Sequence, residues 1–98
     1  MITWTVTMTS TRRVHTIVGS ATTAHDAHRE MIIATASLIE RGGDDHPRYE
    51  LSVGEQLVAI IQTGDTATGA PDHAGAASLL ARIDNPADDP FLMEDHQN

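Results

Sequence analysis

Six histidines and fourteen carboxylates are the groups in this 98-residue chain with the chemistry of a site. In HDAHRE, His25 and His28 stand three residues apart, neighbours on one helical face. Imidazoles at that spacing are candidate zinc ligands once a carboxylate or a further histidine, His46 or His73, joins them. Two ligands do not close a tetrahedral site, so no metal is assigned, and a solvated first helical turn accounts for both rings. GGDDHP sets Asp44 and Asp45 beside His46. Paired carboxylates do acid–base work or hold a hard cation when burial shifts their pKa or further oxygens converge. A glycine-led polar loop supplies neither, and points to a solvated pair.

TGDTATG, residues 63–69, has the glycine spacing of a phosphate-binding loop without its cation: the chain contains no lysine. The same absence removes Schiff-base chemistry, and the absence of cysteine removes thiolate nucleophiles, thiolate metal sites and disulfides. The stretch reads as a loop and N-cap region whose amides have at most a weak call on an anion. No serine lies in a nucleophile-elbow context, and so short a chain has little room for a deep pocket. No catalytic residue and no cofactor are assigned.

ITWTVTMTS places Ile2, Trp4, Val6 and Met8 on one side of an extended chain and Thr3, Thr5, Thr7 and Thr9 on the other. Threonine is β-branched and suits the exposed face of a strand, so the row reads as the outer face of an edge or near-edge strand. The same four residues are the candidate partner-binding surface of a sheet.

Composition bounds the rest. The formal net charge is -8, with Arg12 and Arg13 the sole adjacent cations, a balance that disfavours phosphate backbones and hence nucleic acid. Arginine at every lysine-free cationic position fits a GC-rich coding bias of actinobacterial or actinophage kind. Nothing approaches the roughly 20 apolar residues of a membrane span, and the N-terminus lacks the early positive charge of a signal peptide, so a cytoplasmic protein without membrane contact is expected. Trp4, Tyr49 and Phe91 are the only aromatics, so the core must come from aliphatic residues and alanine.

These groups need elements to position them. Residues 2–9 alternate as a strand, and RVHTIV, residues 13–18, pairs with it as a hairpin until Gly19 and Ser20 stop it. From residue 21 to 41 the period changes: Ala24, Ala27, Met31, Ala34 and Leu38, widened by Ile32 and Ile39, make one apolar helical face. Ser20, Thr22 and Thr23 are candidate N-caps, and Gly42 supplies the C-terminal turn. YELSV and QLVAIIQT flank Gly54-Glu55 as a type II′ hairpin, and the second of these, apolar on both faces, reads as a central strand. Pro71 opens a second helix with Ala74, Ala77, Leu80 or Ala81, and Ile83 inward. The expected fold class is α+β: ββαββα, a four-stranded antiparallel sheet with two helices packed on one face, in a single domain over 1–84. Residues 85–98 are expected to form an acidic, flexible C-terminal tail, in which Phe91, Leu92 and Met93 sit between acidic pairs and are expected either to fold back on the ring-poor core or to serve as a second partner-binding candidate.

The function expected is a small acidic protein-interaction module, a phage or mobile-element accessory that binds and modulates a host protein of unknown identity, and itself a homodimer. In one variant, carboxylates at Asp44, Asp45, Asp88, Asp89, Glu94 and Asp95 imitate nucleic acid in a basic groove. The alternative is a small-ligand or metal-binding domain, or an enzyme, with a site at a dimer interface drawing on His25, His28, His46 and His73.

Overall fold

The computed structural model describes residues 1–84. The chain runs β1 Ile2–Thr9, β2 Val14–Ala21, α1 Ala24–Arg41, β3 Arg48–Val53, β4 Gln56–Gln62 and α2 His73–Asp84. Its strands form one antiparallel sheet in the order β2-β1-β3-β4, so the expected α+β arrangement is the one observed. The order is symmetric about the β1–β3 ladder, with each ββα half contributing its first strand to the centre. Residues 85–98, and with them Phe91, Leu92 and Met93, lie outside the described residues.

Alternation in β1 decides the two faces. Trp4, Val6 and Met8 are buried, and their neighbours across the ladders, Leu51 and Tyr49 on β3 and Ile17 on β2, point the same way. Onto this face α1 lays Ala27, Met31, Ile32, Thr35, Leu38 and Ile39, and α2 adds Ala76 and Leu80. Thr35 was absent from the apolar pattern because it is polar. Its hydroxyl donates to the Met31 carbonyl at 2.8 Å, which satisfies it one turn back and lets it sit in the core.

Five expectations are corrected. β4 is an edge strand and not a central one: its apolar residues lie on both faces, yet Ile61 alone is buried, while Leu57 and Ile60 face outward and are exposed. A register shift between Leu51 and Ser52 bends the β3–β4 ladder near this edge. β2 does not stop at Gly19 but continues to Ala21, and α1 begins at Ala24 instead of residue 21. Of the three candidate caps, Thr23 is the N-cap, accepting from the Asp26 amide at 3.1 Å. In α2, Ala76, Leu80 and half-buried Ile83 face inward, whereas Ala74, Ala77 and Ala81 are exposed. Pro71 precedes that helix: Asp72 caps it, accepting from the Gly75 amide at 3.0 Å. The Gly54-Glu55 turn is as expected, with φ 61 at Gly54 and a negative φ at Glu55, the signs of type II′.

Gly19 is where the strand accommodates a ring. A Cβ there would stand 2.2 Å from Cζ2 of Trp4, its cross-strand partner. A glycine that weakens a strand by propensity is therefore required by packing. Gly19→Ala is expected to lower stability by about 1–3 kcal/mol through overpacking, despite alanine's better backbone propensity. Urea denaturation of G19A, and of G19A combined with Trp4→Phe, checks this: the smaller ring should recover part of the loss.

Tyr49 is 1% exposed, and burial raises its pKa above the ordinary 10.0. A raised folded-state value favours the neutral phenol, so its stabilisation is complete below pH 10 and is lost as pH rises through the folded value. With no lysine, no cysteine and a single tyrosine in the chain, no other side chain has its ordinary pKa in that window. Urea midpoints should be flat up to about pH 9 and fall above about pH 10. Tyr49→Phe should remove the fall.

Candidate functional site

Among the described residues nothing covers the sheet face opposite the helices. Register places Thr3, Thr5, Thr7 and Thr9 down β1, one strand in from the β2 edge. On one side Val18 faces Thr5, Thr16 faces Thr7 and Val14 faces Thr9; on the other, Ser52, Glu50 and Arg48 face Thr5, Thr7 and Thr9. Beyond these, Leu57 pairs with Ser52 and Ile60 with Glu50. The threonine column is thus bordered on both edges by aliphatic side chains: Val14 is 65% exposed, Val18 63%, Leu57 56% and Ile60 47%. Two pairs tie the face together, Thr7 Oγ1 with Thr16 Oγ1 at 3.4 Å and Arg48 Nη2 with Glu50 Oε1 at 3.1 Å. Arg48 and Glu50 are the two charges in these columns, and they cancel.

These aliphatic residues are the part of the surface that sequence reasoning missed. The signal was present in β2, where Val14, Thr16 and Val18 alternate with His15 and Ile17. Period alone does not say which set faces the helices, because both are largely β-branched.

The loops gather at one end of the sheet, where β1 and β4 finish and β2 and β3 start. Asp45 is held there between Arg12 Nε at 3.5 Å and the Ser10 hydroxyl, which donates to it at 3.3 Å. Asp44 is exposed and makes no ion pair among the described residues, so the two carboxylates do not act as a pair. His46 Nε2 lies 2.6 Å from Asp65 Oδ1, joining GGDDHP to TGDTATG. The latter loop closes on itself: the Thr66 amide donates to Ala70 O, Gly69 to Thr66 O, and Asp72 to Gly64 O. Amides committed to carbonyls are not free to cradle a phosphate. His73 Nε2 donates to the Gly43 carbonyl at 3.0 Å and ties α2 to the α1–β3 loop.

His25 and His28 are at the other end of the molecule, in the first turns of α1, His25 exposed and His28 half-buried. The 18 residues of α1 put about 27 Å between its ends. The four candidate histidines are therefore divided two and two. Among the described residues no three His, Cys, Asp or Glu side chains converge as metal ligands. No helix among them is long and apolar enough to cross a membrane.

Two concavities lie on the helical side. A groove of about 260 Å³ runs between α1 and α2, lined by Ile32, Ala36, Ile39, Glu40, Ala77, Leu80 and Ala81. A smaller pocket, of about 90 Å³, opens beside the end of α1, lined by Met8, Arg13, His15, Leu38, Arg41 and Gly42.

Zinc in excess is expected to leave the thermal midpoint unchanged, since a ligand stabilises only by binding the folded state more tightly than the unfolded. A midpoint that rises with zinc and returns with chelator, in the wild type but not in His28→Ala, would reveal a site built on α1. No family model, no curated protein and no solved structure matches the chain.

Proposed function

We propose that this protein is a small acidic protein-interaction module that works through the open face of its sheet and pairs there with a second copy of itself. The observation that carries the reading is the uncovered display of Val14, Val18, Leu57 and Ile60 around the threonine column. Water gains when such a face is covered, because stacked sheets bury aliphatic and threonine methyl groups in a common layer about 10 Å thick.

Charge permits a second copy as occupant. The chain carries a formal charge of -8, so two copies repel except where a surface is locally neutral. The open face is such a surface, because its two charges, Arg48 and Glu50, pair within one copy. Size is adequate as well. Eight residues of β1 and four strands give a face of about 26 by 19 Å, hence roughly 1,000 Å² buried in total, the lower limit for a specific interface. The product has four layers: helices outside, two sheets within. Modulation of a host protein, in the manner of a phage or mobile-element accessory, would then use the dimer's remaining surfaces.

Sedimentation equilibrium across a range of concentrations tests the reading. The wild type should show a monomer–dimer equilibrium with a Kd in the micromolar range, about what so small an interface supports. Val18→Glu, which faces solvent in the monomer, should shift the chain to monomer with its circular dichroism unchanged. A wild type that stays monomeric at all concentrations, or a V18E variant that dimerises as well as the wild type, would refute it.

A further inference from the structure

The 90 Å³ pocket beside α1 differs from the rest of the surface in sign. Two of the six arginines and one histidine line it, and no carboxylate does. Among the described residues neither Arg13 nor Arg41 lies within ion-pair reach of an acidic group. The adjacent Arg12 and Arg13 diverge at the β1–β2 turn: Arg12 goes to Asp45, and Arg13 goes to the pocket. Opposite it, Arg41 occupies the last turn of α1, where the helix dipole favours a cation and keeps its guanidinium near the helix end. His15 enters from the inward side of β2, across the ladder from Met8. Beneath these groups the floor is apolar, made of the buried side chains of Met8 and Leu38.

We propose that this pocket binds a carboxylate carried on a short apolar stem. Two guanidinium forks match the planar geometry of a carboxylate and donate charge-assisted hydrogen bonds to it. Met8 and Leu38 receive the stem, a contact that a bare inorganic anion would leave unmade. A volume of about 90 Å³ holds roughly six water-sized groups, the size of a four-carbon acid and not of a nucleotide. Cations without an ion pair among the described residues also concentrate an anion locally against the overall field. This site is separate from the open sheet face, on the other side of the sheet, and stands whether or not the chain dimerises.

The test is a titration of the full chain, labelled with nitrogen-15, followed by amide shifts. Butyrate is the probe, butyramide its uncharged counterpart, inorganic phosphate the anion without a stem, and N-acetylalanine the stand-in for a peptide chain end. Butyrate should shift the amides of Met8, His15 and Gly42 saturably, with butyramide and phosphate each at least roughly tenfold weaker, the loss expected for a charged hydrogen bond or a buried stem. Arg13→Gln and Arg41→Gln, both at exposed positions, should each weaken butyrate by a similar factor while leaving the remaining spectrum in place. Tighter binding of N-acetylalanine than of butyrate would identify a chain end as the source of the carboxylate, and the reverse a free acid. Equal responses to butyrate and butyramide, no shift at these three amides, or unaltered binding in both variants would overturn the proposal.

Discussion

The indole of Trp4 fills the space that a side chain at residue 19 would need. This contact locks the register of β1 against β2, because a slip by one residue would bring Val18 or Ser20 under the ring and exchange every inward side chain for an outward one. Once the register is set, Val6 and Met8 reach the helices and the threonines are left outside. The indole nitrogen is buried without an acceptor among the described residues, so the ring holds its place by shape and apolar area and not by a hydrogen bond.

The helices follow from that face. Their inward stripes cover one side of the sheet, and among the described residues no third element lies on the other. The polar end is organised around the same layer: Asp72 starts α2, His73 fastens it to Gly43, and His46 reaches across to Asp65. Groups that looked catalytic by type thus serve mainly to connect loops. His46 and Asp65 are substantially exposed, so their pairing orients the loops more than it stabilises the fold.

Strand and helix order was legible because the strict alternation of residues 2–9 gives way to apolar spacings of three and four from residue 21 and returns in YELSV, although the exact ends were not. Positions within the elements were less so. Gly19 looks like a terminator until its cross-strand neighbour is known, and Thr35 looks like a surface residue until its back-bond to Met31 is seen. Strand order also escaped local reading: Leu57 to Ile61 is apolar enough for a central strand, and only the pairing of β1 with β3 shows that it lies at an edge. The pocket is the clearest case, since Met8, Arg13, Leu38 and Arg41 come from three separate segments that no spacing rule connects. Its one local trace was the adjacent pair Arg12 and Arg13, whose divergence depends on where Asp45 lies.

The symmetric strand order bears on how the chain reaches this state. Each ββα half is built from neighbours in sequence, a hairpin and the helix that follows it. The halves meet through the β1–β3 ladder and the α1–α2 contact, both between distant parts of the chain, and through contacts of α1 with the β3 that follows it. Loop-closure entropy is therefore concentrated in one event, the joining of β1 to β3, and that joining is the expected kinetic barrier. Hairpins and helices form and dissolve quickly on either side of it, and the native state persists for as long as that central seam stays closed.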